Sequence, residues 1–442
     1  MNQKESVLCY LEQQRDEIAQ TLSELIQIDS QNQGMPNTAL EGPAQEYVYK
    51  KMEDLGLSPQ KLVFDPKHER PNVYGTLTGS GNGRSLLMNA HIDTVCVTEP
   101  EKWSYPPLGG LIKDGKVLGR GASDDKMAVV AMLYAVKALQ KCGIRLKGNV
   151  YLLSSVGEES GEGGSIGAGP AVQHMPKADF AIVSEATCME MDIASSSMTY
   201  FEVIVPGKGT HTCGRNQILF PQMHDVPSGS QVGVDALEKA LPIIEMFYRL
   251  ERDWCVNQKY PVWGAGGSPH YDKKGLGVFN ANPSKIEGGD YLMSTMGSVK
   301  ITYNLYYPAS MTLDEISKEI KDHVSAIAST DSWLKENPPI VNIPVYSDWP
   351  GFQTDINHPG VETLRQVYKN VLGEDLVVTA NKSVMDTSFI SKAGIPVVGF
   401  GPGGNETNQH GVDEWCSIDE LLKSIKVYAC MMMEWCGTDI SQ

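Results

Sequence analysis

Apolar positions along this chain follow two periods, and the switch between them outlines the fold. Short unbroken apolar runs, SLLMNAH (85–91), NVYLLSS (149–155), FAIVS (180–184) and IPVVGF (395–400), read as strands buried on both faces. Between the first two, KMAVVAMLYAVKALQKCG carries apolar residues on several faces and stops at Gly143, as a buried helix does. Helical spacing returns in VETLRQVYKNVLG and IDELLKSIKVYACMMMEW near the C-terminus. Strand, crossover helix, strand is the grammar of an α/β sheet.

The middle of the chain reads differently. From about Ser196 to Asp331 come a strand (TYFEVIV), a Gly-rich turn, a long polar loop, a helix (VDALEKALPIIEMFYRLERDW), a strand pair and a second helix (LDEISKEIKDHVSAI). The expectation is an α+β segment, 196–331, inserted between two parts of one α/β domain, 1–195 and 332–442. A chain of 442 residues is too long for one ordinary core, which fits two domains.

Composition narrows the class. In the opening segment Val7, Leu8, Leu11, Ile18, Leu22, Leu25 and Ile26 recur at helical spacing among Glu, Gln and Arg, unlike a secretory signal. No run approaches the roughly 20 apolar residues of a membrane span. A net charge of −17 speaks against nucleic acid or an anionic membrane as partner. The nine cysteines are scattered and form no CxxC, so neither a disulfide framework nor a zinc ribbon is indicated, and a cytoplasmic location is expected.

Candidate chemistry sits where the apolar runs end. These positions are His91 in LLMNAHIDTV, Asp124 in GRGASDDKM, the Glu158-Glu159 pair in LLSSVGEESGEGG, Glu185 in FAIVSEAT and His410 in GPGGNETNQHGVDEW. His91, Glu158, Glu185 and His410 each follow a strand, where α/β sheets gather their functional groups. Two imidazoles with several carboxylates suit two divalent cations sharing one bridging carboxylate.

Each motif also has a plainer reading. His91-x-Asp93 taken alone is a capped strand end, although Asp93 is placed to hold the second ring nitrogen of a metal-bound imidazole. Asp124-Asp125 is an acidic helix start favoured by the helix dipole. His410 follows a turn, and His211 in VPGKGTHT is a turn histidine. Glu158-Glu159 resists such treatment. Adjacent carboxylates after a buried strand repel unless a cation neutralises one, and the other is then free to act as a base.

Taken in order from LIQIDS to HGVDEW, these motifs resemble the M20 family of co-catalytic zinc peptidases and amidohydrolases, which includes acetylornithine deacetylase and succinyl-diaminopimelate desuccinylase. The resemblance implies two divalent ions, zinc or cobalt. It puts His91 and Glu185 on one ion, Glu159 and His410 on the other, and Asp124 between them, followed by a cis Asp124–Asp125 peptide. It makes Asp93 the partner of His91, Glu158 the general base, and His211 a lid histidine that stabilises the oxyanion, in dimeric members within the neighbouring subunit's site. The fold implied is an α/β catalytic domain with an inserted ferredoxin-like lid and dimerisation domain, giving a homodimer. The activity implied is hydrolysis of an amide in a small N-acyl amino acid-type molecule. A carboxypeptidase or dipeptidase of the same fold is the alternative, and a non-catalytic metal- or ligand-binding protein is a remoter one.

Three departures from the family pattern stand out. Leu305, in NLYYP, takes the place of an Arg that often grips a substrate carboxylate. The match to the family's G-x-N-A helix start, Gly233 to Ala236, carries Asp235 in place of Asn and follows a long loop, RNQILFPQMHDVPSGSQ, expected to shape a distinct pocket. Cys96 replaces a Pro, and with Cys188 and Cys213 it puts thiols near the site, either as small fillers or in a redox or soft-metal role.

Overall fold

The computed structural model describes residues 2–32, 40–65, 67–212, 233–257, 279–345, 348–381 and 383–439. They form two compact units, Met1–Ser195 with Phe352–Gln442, and Ser196–Gly351.

The first unit is built on a nine-stranded mixed sheet. Its centre is parallel: Val150–Ser155, Leu86–His91, Phe180–Val183 and Val397–Phe400 lie side by side in that order. Every residue of these four strands is buried, which is why they read as unbroken apolar runs. Antiparallel strands extend both flanks, Pro71–Leu77 and Gln60–Val63 on one side, Met191–Ser195 and Phe352–Gln353 on the other. The crossover helix Lys126–Lys141 packs on the sheet and against the helices Arg15–Ile26 and Ile418–Cys436. It ends at a Gly143 with φ +68°, as the sequence indicates. At its first residue the buried Lys126 ammonium donates to the carbonyls of Leu25 (3.1 Å) and Ile28 (2.6 Å), tying down the end of Arg15–Ile26. No helix among the described residues is long and apolar enough to cross a membrane.

Among its described residues the second unit has the order strand, helix, strand, strand, helix, strand, with a short helix, Ser332–Glu336, before the last of these and a two-residue strand, Asp348–Trp349, after it. Asn280–Gly288, Ser298–Tyr307, Ser197–Pro206 and Ile340–Asn342 lie in that order in one antiparallel sheet, the ferredoxin-like arrangement. Helices Ala236–Asn257 and Leu313–Ser329 pack together, with the first also on the sheet. Its core is aromatic: Phe201 stacks on Tyr303 with centroids 4.7 Å apart, and Phe247 tilts against both.

The unit closes at Gly351, later than the Asp331 expected from the sequence. Ile340–Asn342 and Asp348–Trp349 both pair with Ser197–Pro206 and so belong to its sheet. Their short, largely exposed pattern carries no apolar alternation that could have announced them.

Candidate metal centre

The parallel strands converge their C-terminal ends on one cluster. His91 is the last residue of its strand, Glu158 and Glu159 follow Val150–Ser155, and Glu185 follows Phe180–Val183. His410 arrives on the loop after Val397–Phe400. That loop needs Gly403, at φ +79°, where a β-carbon would come within 2.5 Å of Ser123 Oγ. Asp124 and Asp125 precede the helix that starts at Lys126, and the peptide joining them is cis.

Asp124 lies at the middle of the arrangement. Its Oδ1 is 2.9 Å from His91 Nε2 and its Oδ2 is 3.0 Å from His410 Nε2. Glu185 Oε1 lies 3.6 Å from the same nitrogen of His91, and Glu159 Oε1 lies 3.0 Å from that of His410. One carboxylate thus faces two imidazoles, each with a carboxylate of its own. The five residues expected to bind metal are brought together.

Two observations test whether cations fit here. A tetrahedral ion with ligands at about 2.0–2.2 Å keeps them about 3.3–3.6 Å apart, a few tenths of an ångström wider than three of the four separations seen and equal to the fourth. In addition, Asp124 Oδ1, Glu159 Oε1 and Glu185 Oε1 are buried and accept no well-aligned hydrogen bond, although imidazole nitrogens lie within ion-pair distance of all three. Buried oxygens left without such a partner are costly unless something else meets them. The residues fit a pair of divalent ions.

The electrostatics agree. Burial opposes charge on His91, but Glu185, Asp124 and Asp93 outweigh it and hold the imidazole well above its usual pKa. Asp124 and Glu159, each with an oxygen 3.0 Å from Nε2, push His410 up to about 11. Burial would raise Asp124, yet the two imidazoles pull it below the usual carboxylate range. Glu158, Glu159 and Glu185 are pushed up, by burial first and then by neighbouring carboxylates. Such a cluster demands positive charge, and protonated imidazoles supply part of it when no cation does.

Asp93 does more than the sequence suggests. His91 Nδ1 is 2.9 Å from the main-chain oxygen of Asp93, with the Asp93 carboxylate further off at 3.6 Å. That carboxylate is occupied elsewhere: Oδ1 accepts from Glu158 N, and Oδ2 from Glu159 N and Asn32 Nδ2. Asp93 therefore aligns the imidazole through its backbone and the Glu pair through its side chain. Glu158 itself remains partly accessible at the edge of the cluster.

Several residues here escaped sequence reasoning. Asp125 belongs with His91 and Glu185 to a second group able to hold an ion. Its Oδ2 takes the His91 N–H at 3.3 Å and its Oδ1 has no partner. Gln409 donates to Asp124 Oδ2. Asp386, buried, accepts from Ser155 Oγ at 2.7 Å, and burial pushes it up to about 6. None is marked by an apolar run. Among the described residues no group able to hold a metal contains a cysteine: Cys188 is exposed, Cys96 half-buried, and Cys213 lies outside the described residues, as does nearly all of the loop after His211.

His211 belongs to the second unit, where it forms a bridge with Ser294 beside the turn at Tyr291–Met293. Leu305 is fully buried in the same unit's sheet, paired with Ala281 and Thr199.

A sequence model described as peptidase family M20/M25/M40 matches residues 87–434. The chain is 31% identical over 436 residues to the N-formyl-4-amino-5-aminomethyl-2-methylpyrimidine deformylase of Bacillus subtilis (strain 168), covering 97% of this chain and 96% of that protein. It is 25% identical over 365 residues to a probable succinyl-diaminopimelate desuccinylase of Staphylococcus epidermidis, covering 79% of this chain and 83% of that one. Among solved structures, human carnosine dipeptidase 1 superposes with a TM-score of 0.70 at 15% identity, covering 98% of this chain and 99% of the other.

Proposed function

The chain belongs to peptidase family M20/M25/M40 and is a metal-using hydrolase of amide bonds, and from that premise we propose that it removes a small acyl group from an amine at a two-cation centre. The observation that carries this reading is the division of the Asp124 carboxylate between His91 and His410, each with its own Glu. His91 with Glu185 would hold one ion, His410 with Glu159 the other, and Asp124 both. Zinc or cobalt suits these nitrogen and oxygen donors. The ions supply Lewis acidity, which polarises an amide carbonyl and makes water acidic near neutral pH.

The protein's own groups do the rest. Glu158 takes the proton of the attacking water at its carboxylate and hands it to the departing amine nitrogen. Burial pushes its pKa upward, the direction needed by a base that must next serve as an acid. The Asp93 carboxylate fixes the backbone of Glu158 and Glu159 and so limits where that proton can go. His211 donates to the carbonyl oxygen as negative charge builds there. The inserted unit pairs two chains as a C₂ dimer, which the apolar side chains it exposes (Tyr248, Val256, Ile286) support.

Leu305 sharpens the substrate. A buried aliphatic side chain cannot hold a carboxylate, and the name of the Bacillus subtilis relative describes a formamide on an aminomethyl-pyrimidine with no carboxylate. We therefore favour a neutral N-formyl or similarly small N-acyl amine on a heteroaromatic ring over an N-acyl amino acid or a dipeptide. Parallel assays of N-formyl aminomethyl-pyrimidine, N-acetyl and N-succinyl amino acids and dipeptides decide between these, the first giving the highest kcat/KM. Glu158→Gln should lower kcat by about 10²–10⁴ with metal content unchanged. Near-full activity in that variant would remove Glu158 from its role.

A further inference from the structure

We propose that the buried Arg120–Glu414 ion pair is a positioning clamp that assembles the His410 half of the metal centre. The inference rests on the two-cation reading and adds to it the device that sets affinity for the second ion. Both side chains are fully buried. Glu414 Oε1 accepts the N–H of Ser123 (2.8 Å) and of Asp124 (3.1 Å), while its Oε2 pairs with Arg120 Nη1. Arg120 Nη2 in turn donates to the carbonyls of His410 (3.2 Å) and Gly411 (3.1 Å). One member of the pair thus grips the backbone of Asp124 and the other grips the backbone of His410, residues far apart in sequence that face each other across the centre.

The loop bearing His410 needs such a grip. His410 has φ +61°, flanked by Asn408 at +56° and Asp413 at +59°, a conformation uncommon outside glycine. Its side chain is 50% exposed, so packing does little to hold it. The small sheet behind anchors the pair: Trp415–Ser417 runs antiparallel to Lys116–Leu118, pairing Trp415 with Leu118 close to both charged residues. Burying two charges is expensive, and an apolar pair of like volume is often as stable. What an apolar pair cannot do is bond four backbone groups on the two segments that carry the ligands.

The test strips the protein with chelator and measures Zn²⁺ uptake by equilibrium dialysis and titration calorimetry, beside thermal unfolding. Wild type takes up two ions. In the double variant R120M/E414L, the second ion should bind about 10–100-fold more weakly, a larger loss than any at the first ion, which shares Asp124 but keeps His91 and Glu185, although the melting temperature is held or raised. E414Q keeps an oxygen for both N–H groups but loses the charge, and its second ion should weaken about 10-fold. Variants that bind both ions as wild type does, or that lose both, overturn the clamp. A wild type that takes up fewer than two ions removes the two-cation reading beneath it.

Discussion

The two halves of the centre are built by different means. The His91 half stands on the sheet: its imidazole is 1% exposed, ends a central strand, and is aligned by the main chain two residues on. The His410 half stands on a loop, with a half-exposed ring in a left-handed backbone held by side-chain bonds from elsewhere. A strand end delivers a ligand as a consequence of folding, whereas a loop ligand must be tethered. The first half is therefore tied to stability and the second to the quality of a few polar contacts.

The largest effect should separate the halves by single substitution. His91→Ala leaves Asp124 Oδ1 and Glu185 Oε1 facing a buried void. It should cost about 1–3 kcal/mol of stability, abolish uptake of the ion that His91 and Glu185 would hold and reduce turnover to background. His410→Ala also removes a cation from beside Asp124 and Glu159, but its ring is half-exposed and solvent-screened, so it should cost the metal-free protein less stability than His91→Ala does. It should retain one ion and lower turnover more than about 100-fold, since even groups that only orient ligands account for about 10–100-fold. Metal counting beside calorimetry checks both, and equal stability losses would break the contrast.

A smaller effect appears in the pH dependence of the metal-free protein. His410, raised from 6.5 to about 11, contributes stability present below pH 6.5 and lost as pH rises through about 11. Asp386, raised from 3.8 to about 6, binds its proton more tightly when folded, so its share is lost between pH 3.8 and about 6. Both contributions have the same sign, whereas Lys126, lowered by burial from 10.5 to about 7, adds stability as pH rises between those values. The His410 share is therefore read as the difference between wild type and His410→Ala, which saturating Zn²⁺ should flatten. A wild type whose stability advantage over His410→Ala does not shrink between pH 6.5 and 9 would contradict the charge balance drawn for the His410 half.

What was legible in the sequence divides along the same line. His91, Glu159 and Glu185 could be found because each ends an apolar run, and a run of that kind is a property of neighbouring residues. The curled chain at His410 was legible only through the order of motifs, since GPGG and NQHG read alone as a surface turn. Arg120 and Glu414 left no mark, because their partners lie nearly 300 residues away and their contacts go to backbone. Asp93 was found as the partner of His91, but sequence spacing cannot show that its carboxylate turns to the Glu pair. The end of the insert was missed for a similar reason: Ile340–Asn342 is held by a ladder to a distant strand and shows no pattern of its own.

The most direct test of the central claim is anomalous diffraction at the zinc edge from crystals of the Zn²⁺-loaded protein. The account predicts two peaks about 3.5–4 Å apart astride the Asp124 carboxylate, one beside His91 and Glu185, the other beside His410 and Glu159. A single peak, or a pair lying away from Asp124, would contradict it.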